Sequence, residues 1–203
     1  MSRIVMIGGH GKVALLAAPL LVEAGHEVVS LIRNPDQADD VVAVGATPLV
    51  LSVEEADVAE LARATLAAAI RSMEAAAAAG VRRYVMVSFL TAYGEVSVDH
   101  PLRAYAIAKI AADRHLQTTD LDWTILGPGL LTLDDPTGAI TVARVLKGTP
   151  SSKAPTSRGN VARVIAAVLA EPASIGKVIP FYDGDTSIAQ AVADVPQEYA
   201  DLS

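Results

Sequence analysis

The chain opens Met1-Ser-Arg-Ile-Val-Met-Ile-Gly-Gly-His-Gly-Lys-Val-Ala14, and the reading of that stretch decides the fold. Arg3 to Ile7 is a short apolar run rich in β-branched residues, the pattern of a strand buried in a parallel sheet. It stops at Gly8-Gly9-His10-Gly11, and a helical pattern begins at once with Val13, Leu15, Leu16 and Leu20. A strand that turns through glycines into a helix aims that helix's first N–H groups at whatever lies above the strand. Those amides and the positive end of the helix dipole suit a phosphate. Gly8, Gly11 and Ala14 fall at i, i+3 and i+6, for a tight turn, a close pyrophosphate and close helix–strand packing respectively. Gly9, His10, Lys12 and Val13 complete the candidate dinucleotide loop. A flexible turn in another α/β domain would also collect glycines, but a loop placed between a clear strand and a clear helix favours the phosphate reading.

Working outward, the first helix runs from about Lys12 to Ala24 and stops at Gly25. Glu27 to Ile32 is a second strand, so strand, helix and strand form a βαβ unit with a right-handed crossover. An acidic residue at the end of that strand would hydrogen-bond a free ribose 2′-hydroxyl and favour NAD. The chain instead has Arg33-Asn34-Pro35, whose guanidinium can clamp a 2′-phosphate, so NADP(H) is expected over NAD(H). A solvated arginine opening a turn is the plainer alternative. Asp36 to Val42 reads as a short helix and Ala46 to Leu51 as a third strand. Ser52 and Val53 follow where an adenine ring would lie, and Ser52 with Glu55 could also form a capping box.

Composition sets the outer bounds. At 203 residues one domain spanning 1–203 is expected, with a small substrate-side region near 130–158. A hydrophobic fraction of 52% suggests a sheet covered on both faces. No run of about eighteen uncharged apolar residues exists to span a membrane. Met1-Ser-Arg leads straight into a strand, leaving no room for a signal peptide. Cysteine is absent, which excludes disulfides and thiolate chemistry. A formal net charge of −7 argues against non-specific nucleic-acid binding. His10, His26, His100 and His115 show no metal-ligand spacing, so no metal site is expected. The expectation is a soluble cytoplasmic protein acting on a small molecule, with a homodimer plausible from its alanine-rich helices.

From Glu54 to Ala79 there is no Gly, no Pro and no strand-like run. A single helix there would span about 39 Å, whereas a crossover need only return along a strand of about 17–20 Å. The stretch resembles two crossover helices, roughly Glu54–Leu66 and Ala69–Ala79, fused where a strand belongs. Either the chain has a deletion and a smaller sheet, or the sequence as given omits a flexible segment near Thr65–Ile70 that the protein carries. The second is preferred, because losing a central strand would leave a gap in the sheet.

Arg83 to Phe89 is the clearest strand of the second half, and Ser88 stands at its C-terminal end, where ligands bind in open α/β folds. A helix from Pro101 to about Thr119 carries Tyr105 and Lys109 at i and i+4, on one face. A lysine ammonium near a phenol favours the phenolate and makes tyrosine a usable proton donor and acceptor. A serine at the adjacent strand end can steady a substrate oxygen that changes charge. Ser88, Tyr105 and Lys109 are therefore the candidate catalytic set, beside the plainer reading of a half-buried aromatic next to a solvated lysine. Leu121 to Leu126 is the next strand, ending in a turn at Gly127-Pro128-Gly129. Pro128, Gly129 and Leu130 are expected to wall the nicotinamide pocket. Ala139–Val142 and Lys177–Tyr182 read as strands, Asn160–Ala170 and Ile188–Val192 as helices.

These motifs resemble an atypical short-chain dehydrogenase/reductase, in the group near the biliverdin/flavin reductases and NmrA-like proteins. The resemblance rests on Ile7-Gly-Gly-His-Gly-Lys-Val13, Leu31-Ile-Arg-Asn-Pro35, Gly80-Val-Arg-Arg-Tyr-Val-Met-Val-Ser88, Tyr105-Ala-Ile-Ala-Lys109, Leu121-Asp-Trp-Thr-Ile-Leu-Gly-Pro-Gly129 and Ile175-Gly-Lys177. It implies a Rossmann-like doubly wound parallel sheet flanked by helices, with NADP(H) across the strands' C-terminal edge. Gly8, Gly11 and Lys12 would match the phosphate loop, Arg33 the 2′-phosphate contact, and Ser88, Tyr105 and Lys109 the Ser–Tyr–Lys set. The chain departs from the family in carrying Ser52 where an Asp is common and Gly127 where an Arg is common. The family's fourth strand has no match.

Three functions are in view. An NADPH-dependent reductase would pass hydride to a flavin, quinone or carbonyl, Tyr105 being dispensable for the first two. A non-catalytic NADP(H)-binding redox sensor would bind the cofactor without turnover. A sugar epimerase or dehydratase is disfavoured, because little chain remains after the last large strand to build a sugar-nucleotide subdomain.

Overall fold

In the computed structural model the described residues are 1–51, 58–89, 103–143 and 154–196, with no side chains described for 58–65. The opening stretch folds as its pattern requires: β1 (Arg3–Ile7), α1 (Lys12–Glu23), β2 (Glu27–Ile32). A 3-10 turn over Pro35–Gln37 leads into α2 (Ala38–Ala43), and β3 (Thr47–Val50) follows. These three strands form a parallel sheet in the order β1-β2-β3.

Then comes α3 (Val58–Ala78), one uninterrupted helix of 21 residues through Thr65–Ile70. It delivers the chain to β4 (Arg83–Val87), after which α4 (Arg103–Gln117) and β5 (Asp122–Pro128) complete a second parallel crossover. β6 (Leu130–Thr132) pairs with β8 (Pro155–Ser157), and β7 (Ala139–Val142) returns to the main sheet. Finally α5 (Arg158–Ala170), β9 (Lys177–Asp183), β10 (Thr186–Ser187) and α6 (Ile188–Ala193) close the fold. The second sheet has the order β10-β7-β9-β5-β4; β4, β5 and β9 are parallel, while β7 runs antiparallel to both β9 and β10.

The architecture is Rossmann-like α/β, but its sheet is interrupted. β1 and β4 each lie at the edge of their own sheet. α3 lies between β3 and β4 in the chain, and among the described residues no strand joins β1 to β4. Helices hold the halves together. Val13 of α1 packs into the core of the larger sheet, and Ala166 and Leu169 of α5 pack into the core of the smaller one.

The expectation of a sheet covered on both faces needs correcting. Ile4 and Met6 point into the core with Ala18, Leu21, Val28 and Ile32. Their alternates do not: Val5 is 56% exposed, Ile7 61% and Leu49 47%. The register Ile7–Leu31–Leu49 puts three apolar side chains in one row on that open face. α3 packs beside α4 over the larger sheet, through Leu66, Ala69 and Met73. Among the described residues no helix is long and apolar enough to cross a membrane.

Candidate functional site

The parallel strands turn their C-terminal ends to one edge, and each candidate residue is placed by a strand end or by the helix that follows. At the end of β1, Gly8 has φ +75°, a backbone that side-chain-bearing residues rarely adopt. The Gly11 N–H donates to the Gly8 carbonyl at 2.8 Å, closing the turn. Gly11 is the N-cap of α1, with no side-chain cap and no acidic residue in the first turn. The leading amides of α1 are therefore left to a ligand, and Lys12 beside them is exposed, which suits a pyrophosphate.

Gly9 lies close against the second strand. A Cβ there would lie 2.3 Å from the Ser30 Cβ on β2, so the loop is pressed onto the second strand. The Ser30 hydroxyl beneath it is fully buried and has no hydrogen-bond partner. The His10 ring meets the Asp40 carboxylate of α2 at 2.7 Å, tying the loop to the segment that follows β2. Arg33 is exposed at the end of β2. The Asn34 side chain accepts from the Asp36 N–H at 3.0 Å, and so caps the following 3-10 turn. Ser52 and Val53 lie outside the described residues.

At the second sheet, Ser88 follows β4 and is buried, its own N–H bound to the Leu126 carbonyl at 2.6 Å. The candidate triad is not assembled in the expected way. The Lys109 ammonium donates to the Val87 carbonyl at 2.5 Å, and burial pulls its pKa below the ordinary lysine value. Tyr105 is 40% exposed, and among the described contacts it shares no hydrogen bond with Lys109 or Ser88. The Ser88 hydroxyl donates to Asp113 Oδ2 at 2.6 Å.

Asp113 is the residue that sequence reading missed. It is 1% exposed, and burial lifts its carboxyl from 3.8 to about 6, against the downward pull of the Ser88 hydrogen bond and the Lys109 charge. The signal was present: Tyr105, Lys109 and Asp113 repeat every four residues along one face of α4.

The turn expected at Gly127-Pro128-Gly129 needs correcting. Gly127 and Pro128 are no turn; β5 runs on through both, and both are buried. A Cβ at Gly127 would meet the Phe89 carbonyl oxygen at 3.2 Å, so glycine is there to let the chain leaving β4 pass. The Gly129 N–H donates to the Phe181 carbonyl at 2.9 Å, and only Leu130, 57% exposed, presents a free apolar side chain at that edge.

Against known proteins, a family model described as NAD(P)H-binding matches residues 8–67 and 62–172. The two matched segments overlap inside α3. A solved structure of a candidate NAD-dependent epimerase/dehydratase from Bacillus halodurans is 30% identical, superposes with a TM-score of 0.80, and is matched over 95% of this chain and 99% of its own. The uncharacterized sugar epimerase YhfK of Bacillus subtilis is 26% identical over 94% of this chain and 98% of its own length. The UPF0659 protein C216.03 of Schizosaccharomyces pombe is 29% identical over 95% and 94%. Those two alignments run to 215 and 238 positions, beyond the 203 residues of this chain, so the relatives carry segments that it lacks.

Proposed function

The chain belongs to the NAD(P)H-binding family, and on that premise we propose that it is an oxidoreductase that takes NADPH in preference to NADH and reduces a small acceptor, a flavin or a quinone before a carbonyl. The observation that carries the reading is the uncapped, glycine-led N-terminus of α1, with exposed Arg33 at the next strand end. Gly8, Gly11, Lys12 and the α1 amides would hold the pyrophosphate and Arg33 the 2′-phosphate; Lys109, Tyr105 and Ser88 lie at the β4 edge. The bound cofactor supplies the hydride.

The acceptor class follows from the second sheet. With Lys109 turned to the Val87 carbonyl, the Tyr105 phenol has no hydrogen bond to it among the described contacts. A flavin or quinone can take its proton from water, whereas a simple carbonyl needs a positioned acid. Replacing Tyr105 with Phe is therefore expected to leave NADPH oxidation by a quinone within about threefold of wild type; a loss of the usual general-acid size, 10²-fold or more, would restore Tyr105 to the mechanism.

The first test is a fluorescence titration with NADPH and NADH at fixed salt. NADPH is expected to bind more tightly by about tenfold or more, the size of a charge-assisted pair, and Arg33→Ala to remove that preference. Equal binding of the two nucleotides would overturn the Arg33 assignment, and binding of neither would overturn the function. The names of two relatives favour a second reading, an epimerase that returns its cofactor after each cycle. It predicts conversion of a sugar nucleotide without net NADPH consumption, and a quinone assay separates the two.

A further inference from the structure

The buried carboxylate of Asp113 has no part in the chemistry above, yet it holds a hydroxyl that does. Ser88 Oγ donates to its Oδ2 at 2.6 Å, and its Oδ1 has no hydrogen-bond partner among the described residues. A serine hydroxyl has one proton to give, and an ionised carboxylate only accepts. While Asp113 is ionised, the Ser88 proton points into the protein and only lone pairs face the site. A protonated Asp113 can donate to Ser88 Oγ, which frees the Ser88 proton to turn outward. The unpartnered Oδ1 gives the carboxyl a second oxygen to place toward Ser88 without breaking any other bond.

We propose that Asp113 is a positioning residue acting through Ser88, whose protonation converts Ser88 from an acceptor into a donor toward the oxygen of the bound acceptor. This rests on the oxidoreductase reading for its consequence, though not for the link between the two residues. The surroundings favour such a role. Lys109, one turn earlier on α4, is the charge acting on Asp113 among the described residues. β4 brings it the Ser88 hydroxyl, while the core between α3, α4, β4 and β5 is made of Met73, Met86, Leu116, Trp123 and Ile125, with the Tyr84 hydroxyl engaged by Ser72. The carboxyl's raised pKa, about 6, places the change within an ordinary working range. A donor gained at an oxygen that becomes negative is worth roughly tenfold or more in rate.

The test uses the full chain in two readouts. In the first, the side-chain carboxyl carbon of Asp113 is titrated by NMR in wild type and in Ser88→Ala. Loss of the hydrogen bond to the ionised form is expected to raise the midpoint by about half to one unit; an unchanged midpoint overturns the link. In the second, reduction of 2-methyl-1,4-naphthoquinone by NADPH is followed against pH. The wild-type rate should rise as pH falls through the Asp113 midpoint, and that limb should vanish in both Asp113→Asn and Ser88→Ala. A limb that persists in either variant overturns the proposal. Asparagine matches aspartate in shape, and unchanged NADPH affinity at α1 verifies that the variant is folded. If wild type oxidises no NADPH at any pH, the enzymatic reading fails, and the carboxyl titration still decides whether Ser88 and Asp113 are coupled.

Discussion

The open face of the smaller sheet can be tested with one substitution made at two sites. Val5 on β1 and Val28 on β2 are the same residue on adjacent strands, 56% and 2% exposed. Valine to threonine keeps shape, volume and β-branching, so it leaves no cavity and little change in strand preference. The difference lies in where the new hydroxyl goes. At Val28 it enters the core formed with Ala18, Leu21 and Ile32, at a cost of roughly 1–3 kcal/mol for a hydroxyl buried without a guaranteed partner. At Val5 more than half of the side chain is already in water, the hydroxyl stays hydrated, and the cost should be within about 0.5 kcal/mol. Urea denaturation at fixed protein concentration measures both, read as shifts in midpoint at constant slope. In a complete sheet of this kind the first strand lies near the centre, and both substitutions would be costly. Equal losses at Val5 and Val28 would therefore refute the open face and show that something covers β1 in solution. Repeating the Val5→Thr measurement across protein concentrations would identify a second copy as the cover, since only then does the loss vary with concentration.

Two further outcomes follow from the site. The Asp113 carboxyl titrates near 6 in the folded chain against 3.8 when solvated, so folding binds its proton more tightly and the carboxylate costs stability once ionised. The cost is absent below about pH 4, grows through about pH 6 and is constant above; Asp113→Asn should therefore raise the melting temperature at pH 8, by at most about 3 kcal/mol of stability, with no gain at pH 4. A gain that is the same at both pH values would assign the effect to packing instead of charge. At the phosphate loop, Gly9→Ala would drive a Cβ to 2.3 Å from the Ser30 Cβ; about 1–3 kcal/mol of overpacking strain is expected in thermal unfolding, with weaker nucleotide binding. Ser30→Gly should recover part of both, and a Gly9→Ala variant as stable as wild type would show that the loop is not pressed onto β2.

What was legible in the sequence was local. Gly8 announces itself because a strand meets a helix at a residue free to take φ +75°, and the 21 residues of α3 because nothing in them could end a helix. What was not legible depended on what lies above or beside a residue. Composition counts Val5 and Ile7 as apolar but does not say that their face of the smaller sheet is left exposed. Gly127-Pro128-Gly129 has the residues of a turn, yet at Gly127 the glycine serves the Phe89 carbonyl passing alongside. Lys109 carries the spacing of a catalytic lysine, and its partner is a backbone carbonyl, which no side-chain motif can signal.

The missing strand bears directly on the chemistry. The candidate phosphate loop is fixed to one sheet and Ser88, Tyr105 and Lys109 to the other, and among the described residues no backbone hydrogen bonds between strands join β1 to β4. Their alignment therefore depends on α1 packed against α5 and on Val13 seated in the core of the larger sheet. A ligand that contacts both halves would add to that alignment. Binding that bridges the two halves should raise the stability of both together, as the logarithm of one plus the ligand concentration over its dissociation constant. Hydrogen exchange offers the sharpest view: β1 and β4 amides, which sit at sheet edges, should gain protection with NADPH bound, while central β5 and β9 change little. Uniform protection across both sheets, or none at β1 and β4, would mean that the helices alone hold the halves in register.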